Sequence, residues 1–424
     1  MSRVVAFMGR PTVRQHVGVR TLVVSETFPW PVRSGNTMRI ANVLGALAEL
    51  GPVDLFALVD PTRTEDCAVP ADAPVERVEV AWRPRSRYSG LRRASWLVTG
   101  AFPAELFGWD HDTVRRRFRR WAAPHYDLVW YERAGAHVAL RDEIAAPAIV
   151  DLDDLEDAKI LDRLSSNGHT GPGSSLVQHP ADLARGALAR VNARRWRDLQ
   201  RSVARSVDKV VVCSRADAER LGVANAVVVA NGYDAPGVPL GRASAGRPPA
   251  LLFAGLLTYP PNVDAARYLV AEVAPRLRER LPDAVVHLVG KADGRVRELH
   301  DPPHVLSTGW ADDMATELAR ADVVVVPVRY SSGTRIKILE AFAHRIPVVA
   351  THAGVAGLDA VADQHLLVAD DPSAFADACH AALTDDALRA RLVEAAHARF
   401  LERYQWSTVR RSVTALAADT AQGG

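Results

Sequence analysis

Asp322-Val323-Val324-Val325-Val326-Pro327 leads through Ser331-Ser332-Gly333-Thr334-Arg335 into Ile336-Lys337-Ile338-Leu339-Glu340-Ala341-Phe342-Ala343, and Pro347-Val348-Val349-Ala350-Thr351 closes the unit. Two short apolar runs enclosing a small-residue loop and a helix predict a strand–loop–helix–strand unit. That is the repeating element of a parallel sheet covered on both faces. A helix opening behind such a loop offers its first-turn N–H groups and the positive end of its dipole to an anion. Arg335 and Lys337 add full charges, and Glu340 lies three residues beyond Lys337 on the same face. Cations for phosphates beside a carboxylate for hydroxyls are the parts of a nucleotide-sugar diphosphate cradle. Two surface charges at a helix start would read the same way.

Only Lys159, Lys209, Lys291 and Lys337 are lysines among 52 cationic residues, as in proteins from GC-rich genomes. A Lys beside an Arg here points to a need for a compact point charge, which a guanidinium does not supply. With 424 residues the chain has room for two domains. Its 48% apolar and 24% charged residues are those of a soluble globular protein. A net charge of +2 argues against a dedicated polyanion binder, so no nucleic-acid partner is expected. Cys67, Cys213 and Cys379 lie far apart, without metal-ligand spacing, which suits a reducing cytosol. No run reaches transmembrane length and Met1–Arg20 has no continuous apolar segment. A cytoplasmic protein is the expectation.

The same alternation runs through the rest of the chain. Strand-like runs occur at Thr21–Ser25, Val53–Val59, Asp127–Tyr131, Ala148–Leu152, Lys209–Ser214 and Ala226–Ala230, with helical patterns at Thr37–Leu50 and Val191–Val207. A second series comprises Ala250–Gly255, Ala284–Gly290, Asp322–Pro327, Pro347–Thr351 and Leu366–Ala369, with helices at Asp264–Arg280, Met314–Arg320 and Ser373–Leu383. Ser165–Ser175 reads as a mobile loop. The expected division is an extension at 1–20, a Rossmann-like domain at 21–235, a Gly/Pro/Ser-rich linker at 236–249, a second Rossmann-like domain at 250–403, and a helix and tail at 404–424. Two doubly wound domains place a ligand cleft between the carboxyl ends of their strands.

In its second half the chain resembles family-4 glycosyltransferases of the GT-B fold. The resemblance rests on the order of Phe253-Ala254-Gly255 with Pro261-Asn262-Val263-Asp264, His287-Leu288-Val289-Gly290, Ser307-Thr308-Gly309-Trp310, Ala321-Asp322-Val323 leading into Pro327, Gly333–Ala341 and Pro347-Val348-Val349-Ala350-Thr351. It covers most of residues 250–385 and extends more weakly over 21–235. It implies a retaining, metal-independent transfer of a sugar from a nucleotide-diphosphate sugar to a hydroxyl or amine acceptor. Secondary-metabolite or cell-surface saccharide biosynthesis is the implied setting, and no cofactor is expected. It also implies a C-terminal helix, carrying Trp406, that crosses back to the first domain.

Position by position, Glu340 matches the second Glu of the family's Glu-x7-Glu motif, implying a contact to the ribose hydroxyls. Ser332 stands where the first Glu would be, so Ser331, Ser332, Gly333 and Thr334 resemble the small-residue loop of a subgroup. The cations that relatives place after the first glycine are missing from Leu256–Asn262, which leaves Arg335 and Lys337 for the diphosphate. Asn262 is a candidate donor to phosphate or sugar, or a helix N-cap. The loops after Gly290 and Gly309 are implied to hold the base, with Trp310 either there or covering the core rim.

In the first half, the resemblance implies that the loop Pro31-Val32-Arg33-Ser34-Gly35-Asn36 faces the donor phosphates and the acceptor, with Gly35 allowing close backbone approach; an ordinary turn would read the same way. Asp153 replaces the His of a His-Asp pair, where a carboxylate could orient or deprotonate an acceptor hydroxyl, or simply begin an acidic helix. Glu132, His137 and Asp127 lie near the fourth strand, within possible reach of the cleft, with a helix surface the expected place for His137. Arg115–Arg120 and the Arg190–Arg205 helix read as solvated faces, or as weak contacts to an anionic membrane. Rival readings are an epimerase or C–N coupling enzyme of the same fold, and a non-catalytic nucleotide-sugar-binding partner subunit. Donor base, donor sugar, acceptor identity and oligomeric state leave no mark in the sequence.

Overall fold

Continuous apolar runs such as Thr21–Ser25 and Val53–Val59 are buried along their whole length, as strands covered on both faces must be. The computed structural model describes residues 18–423 apart from 33, 61–66, 83–95, 97–99, 101, 108, 167–179, 238–239, 241–245, 312 and 331–335. Its first sheet contains β1 (Thr21–Ser25), β2 (Val53–Val59), β3 (Arg77–Trp82), β4 (Leu128–Glu132), β5 (Ala148–Asp153), β6 (Lys209–Val212) and β7 (Ala226–Val228). The order is β3-β2-β1-β4-β5-β6-β7, and all pairings are parallel. The second sheet contains β8 (Ala250–Ala254), β9 (Val285–Val289), β10 (Val305–Gly309), β11 (Val323–Val326), β12 (Val348–Ala350) and β13 (Leu367–Val368). Its order is β10-β9-β8-β11-β12-β13, again parallel.

The strand order reverses between β1 and β4 in one sheet and between β8 and β11 in the other. Beyond the carboxyl ends at these switch points the connections diverge to opposite faces and leave a crevice. Alternate side chains feed separate cores on the two faces of the first sheet. Leu22, Val24, Tyr131 and Val150 point one way; Val23, Trp130, Ile149 and Val211 point the other. Phe253, Leu288, Val325, Phe342 and Phe375 anchor the core of the second lobe.

Helix Gly35–Ala48 begins with a capping box, in which Ser34 Oγ accepts from Thr37 N (3.3 Å) and Thr37 Oγ1 accepts from Ser34 N (2.9 Å). The C-terminal helix Trp406–Ala421 returns to the first lobe, where Trp406, Val409, Val413 and Ala417 are buried in its core. Arg410 Nε donates to Asn42 Oδ1 at 2.8 Å across that contact. The crossing is tight at Gly232, where a Cβ would lie 2.8 Å from the Trp406 ring.

Several elements differ from the sequence expectation. β3 was missed because its residues are only partly buried. Helix Pro180–Arg205 begins well before Val191, and the helix expected from Asp264 begins at Pro260. Residues 1–17 of the expected extension, and most of the loop expected at Ser165–Ser175, lie outside the described residues. Among the described residues no helix is long and apolar enough to cross a membrane.

Candidate functional site

The site forms where the two switch points face each other. On the second lobe, β8 and β9 run into Gly255 (φ 149°) and Gly290 (φ 132°), conformations that side chains rarely permit. A Cβ on Gly290 would sit 1.9 Å from the Gly255 carbonyl oxygen, so only glycine allows this backbone approach. Lys337, in helix Ile336–Ala343, carries its ammonium to the same spot. Its Nζ lies 4.4 Å from the Phe253 ring centroid and donates to Asn262 Oδ1 at 3.3 Å. A Cβ on Gly255 would be 3.1 Å from that Nζ. Asn262 is not a helix N-cap: it lies inside the first turn of Pro260–Tyr268, and its Nδ2 donates to Leu256 O at 3.0 Å.

One turn beyond Lys337, Glu340 Oε1 accepts from the Tyr233 hydroxyl at 2.9 Å. Burial pushes the Glu340 carboxyl above its usual range, with the Tyr233 bond and Lys337 working against that rise. Trp310 is 62% exposed beyond β10, so it does not cover the core rim. Ser332, Gly333, Thr334 and Arg335, together with Ser331, lie outside the described residues.

Gly35 meets this assembly from the first lobe; a Cβ there would lie 3.3 Å from Ile336 Cγ1, at the start of the Lys337 helix. Asn36, the next residue, accepts from Arg133 Nη2 at 3.2 Å. Arg133 follows β4 and Asp153 ends β5, and both adopt positive φ (73° and 55°). Such backbone costs on the order of 1–3 kcal/mol per residue and persists only where the surroundings enforce it. Here the enforcement is electrostatic. Arg133 donates to Asp153 Oδ2 and to Glu156 Oε1, each at 3.1 Å, and Asn231 Nδ2 donates to Asp153 Oδ1 at 2.9 Å.

A buried ion pair lies beneath. Arg39, 1% exposed, donates to both oxygens of Asp151 at 2.8 and 3.0 Å and to Val229 O and Asn231 Oδ1 at 3.1 Å. Asp151 Oδ1 in turn accepts from Asp153 N at 3.0 Å, holding the strained residue in place. Burial pushes the Asp153 carboxyl up, but Arg39, Arg133 and Lys159 outweigh it and leave the group below the usual range. Such a carboxylate is a fixed counter-charge for Arg133 and a weak proton acceptor.

Glu132 is 1% exposed, and neither of its oxygens has a hydrogen-bond partner. Burial, followed by the charge of Asp151, drives its carboxyl well above the usual range. His137 is 2% exposed rather than on a surface; its ring packs edge-on against Tyr131, and burial lowers its pKa to about 4. Asp127 stands at the opposite end of β4, where its Oδ2 accepts from Arg20 N at 2.8 Å. In the basic runs, Arg115 and Arg119 pair with Asp142 and Glu143, and Arg197 with Asp157. Asp153, Asp154 and Cys213 bring potential ligand atoms within 4.8 Å of one another. Burial and the adjacent carboxylates push the Cys213 thiol far up, and a protonated thiol is a poor metal ligand.

Sequence reasoning missed Arg39, Arg133, Tyr233 and the full role of Asn231. Asn231-Gly232 was legible only as a turn, and two more arginines do not stand out in so Arg-rich a chain.

Comparison with known proteins shows what the chain is similar to. Residues 248–385 match the family described as Glycosyl transferases group 1. A phosphatidyl-myo-inositol mannosyltransferase of Mycobacterium leprae is 30% identical over 221 residues, covering 49% of this chain. The chain spans 56% of that relative's length. Sucrose-phosphate synthase from Thermosynechococcus elongatus superposes with a TM-score of 0.66 at 16% identity, over 96% of this chain and 100% of that one. Anabaena HepE, solved in complex with UDP-glucose, gives 0.59 at 15% identity, over 95% and 100% of the two chains. The paired parallel sheets are those of the GT-B fold, and residues 248–385 are similar to the group 1 glycosyl transferases.

Proposed function

We propose that this protein transfers a sugar from a nucleoside-diphosphate sugar to a hydroxyl or amine acceptor, with retention of anomeric configuration and without a metal. The observation that carries the reading is the meeting of Gly255, Gly290, Asn262 and the Lys337 ammonium at one switch point, against Gly35 from the opposite lobe. Two glycines without side chains give a diphosphate access to backbone, and the ammonium lies within reach of the same space. The relative whose structure holds UDP-glucose supports a nucleotide-sugar donor.

As the glycosidic bond breaks, negative charge grows on the leaving diphosphate. Lys337, Arg335 and the N-terminus of helix Ile336–Ala343 stabilise that charge more than they stabilise the ground state, and this difference lowers the barrier. Glu340, oriented by Tyr233, accepts from the ribose hydroxyls, and Trp310 packs on the base. No protein nucleophile is assigned in this reading. The acceptor therefore attacks from the face the diphosphate leaves, and the departing phosphate takes its proton. Asp153 holds Arg133 at the mouth of the acceptor side.

The test is release of nucleoside diphosphate coupled to a new glycoside, followed with UDP-, GDP-, ADP- and dTDP-sugars and an acceptor panel. A new α-linkage from an α-donor supports the reading. A product without a new glycosidic bond would assign an epimerase or coupling enzyme instead. Donor binding without turnover across the panel would assign a non-catalytic subunit.

A further inference from the structure

Tyr233 stands where the chain passes from the first lobe to the second. Its N–H donates to Tyr404 O at 2.9 Å, and its carbonyl accepts from Trp406 N at 3.1 Å. Tyr404 is buried in the core of the second lobe and Trp406 in that of the first, so both bonds belong to the crossing of the C-terminal helix. The Tyr233 ring packs edge-on against His344, with centroids 6.2 Å apart at 63°. Backbone and ring are thus both fixed, and together they set the hydroxyl on Glu340 Oε1 at 2.9 Å.

Among the described residues nothing else donates to the Glu340 carboxylate, and its Oε2 stays open to a ligand. Glu340 lies one helical turn past Lys337, whose ammonium marks the diphosphate end of the site beside Gly255. Burial favours the protonated acid here, and the Tyr233 bond and Lys337 oppose it. Burial and the Glu340 charge push the Tyr233 phenol up, so it keeps its proton and remains a donor. His344, packed on Tyr233, is pushed below its usual range by burial, and Asp234 acts on the phenol alone. Tyr233 and Lys337 are therefore the groups that hold Glu340 charged.

We infer that Tyr233 is a positioning residue that sets donor specificity: its hydroxyl holds one oxygen of Glu340 and leaves the other to accept from a ribose hydroxyl, so the site selects a ribonucleotide over its deoxyribose counterpart. The inference rests on the transferase reading above. An ionised carboxylate accepts a stronger hydrogen bond than the neutral acid does. A nucleotide without the hydroxyl leaves a desolvated oxygen unpaired, which costs more than the bond alone. Phenylalanine at 233 would keep the contact with His344 but remove the donor, and burial would then favour protonation of Glu340. Falling pH protonates Glu340 and weakens the ribose contact, so in that variant the weakening begins at higher pH.

The experiment is titration calorimetry on the intact protein with UDP, GDP and ADP and the 2′-deoxy and 3′-deoxy form of each, across the range from acid to mildly alkaline pH. A deoxy form carries the same phosphates as its parent, so the ratio of their affinities cancels phosphate titration. In wild type at least one parent nucleotide should bind about tenfold or more tightly than one of its deoxy forms. Tyr233→Phe should cut that ratio to about threefold or less at neutral pH and move its decline on acidification to higher pH, with binding of the deoxy form unchanged. Glu340→Gln should give a small ratio that does not vary with pH. A ratio in Tyr233→Phe equal to that of wild type at every pH would overturn the inference. Equal binding of parent and deoxy forms by wild type would overturn it too, and would leave the transferase reading standing. Binding of no nucleotide at all would overturn that reading and the inference with it.

Discussion

Replacing Arg39 with Met should unfold the first lobe more readily than any surface change, because of what Arg39 leaves behind. Its guanidinium is 1% exposed and donates to both oxygens of Asp151, itself fully buried, as well as to Val229 O and Asn231. Methionine fills much of the same volume, so the cavity term is small. The dominant loss is electrostatic: Asp151 keeps its charge, with Glu132 and Asp153 nearby and no cation against it. Removing one partner of a buried pair costs about 3–5 kcal/mol. The urea midpoint at pH 7.5 should fall accordingly.

The sign of the pH dependence follows. Burial already holds the Asp151 carboxyl above its usual range despite Arg39, and in the variant its folded-state pKa rises further above the unfolded value. Folded protein then binds more protons across that window, and stability is regained as pH falls through it. Against wild type, the deficit should therefore shrink between pH 7.5 and pH 5. Adding Asp151→Asn to Arg39→Met should restore about half the loss at pH 7.5. A deficit under about 1 kcal/mol, or one that does not change with pH, would refute the reasoning.

Gly290→Ala places a Cβ 1.9 Å from the Gly255 carbonyl at φ 132°. It should cost more than about 2 kcal/mol, lower Tm by several degrees and weaken donor binding; an unchanged Tm contradicts the packing. Glu132→Gln should be stabilising at high pH. Because burial raises the folded pKa of Glu132 above its unfolded value, wild type loses stability as pH rises through that window, by about 1.4 kcal/mol per pH unit at most. The Gln variant lacks that slope, so identical profiles from pH 5 to 9 in urea titrations would contradict it.

The fold was legible where burial is complete on both faces. The valine runs at 210–212 and 323–326 read as buried strands, and glycines at strand ends marked the crevice. β3 escaped because an edge strand is only half covered and loses its apolar signature. Lys337 and Glu340 were visible because one helix carries both at fixed spacing. Arg133 acts through a positive φ and through Asp153, twenty residues on; neither strained backbone nor tertiary pairing leaves a local pattern. His137 was misplaced for a related reason. Its helix Ala134–Leu140 is buried nearly all round, so the ring packs on Tyr131 instead of meeting water.

The central claim is a diphosphate site at the tip of β8 served by Lys337, and thermal unfolding with UDP, GDP, ADP, CMP and dTDP tests it most directly. A diphosphate at about a hundred times its dissociation constant adds roughly 2.7 kcal/mol to the folded state, a shift of several degrees. The account predicts that at least one nucleoside diphosphate raises Tm by that amount and CMP raises it less. Lys337→Ala, with an unliganded Tm close to wild type, should lose most of the shift. An equal shift in wild type and Lys337→Ala, or none with any diphosphate, would contradict it.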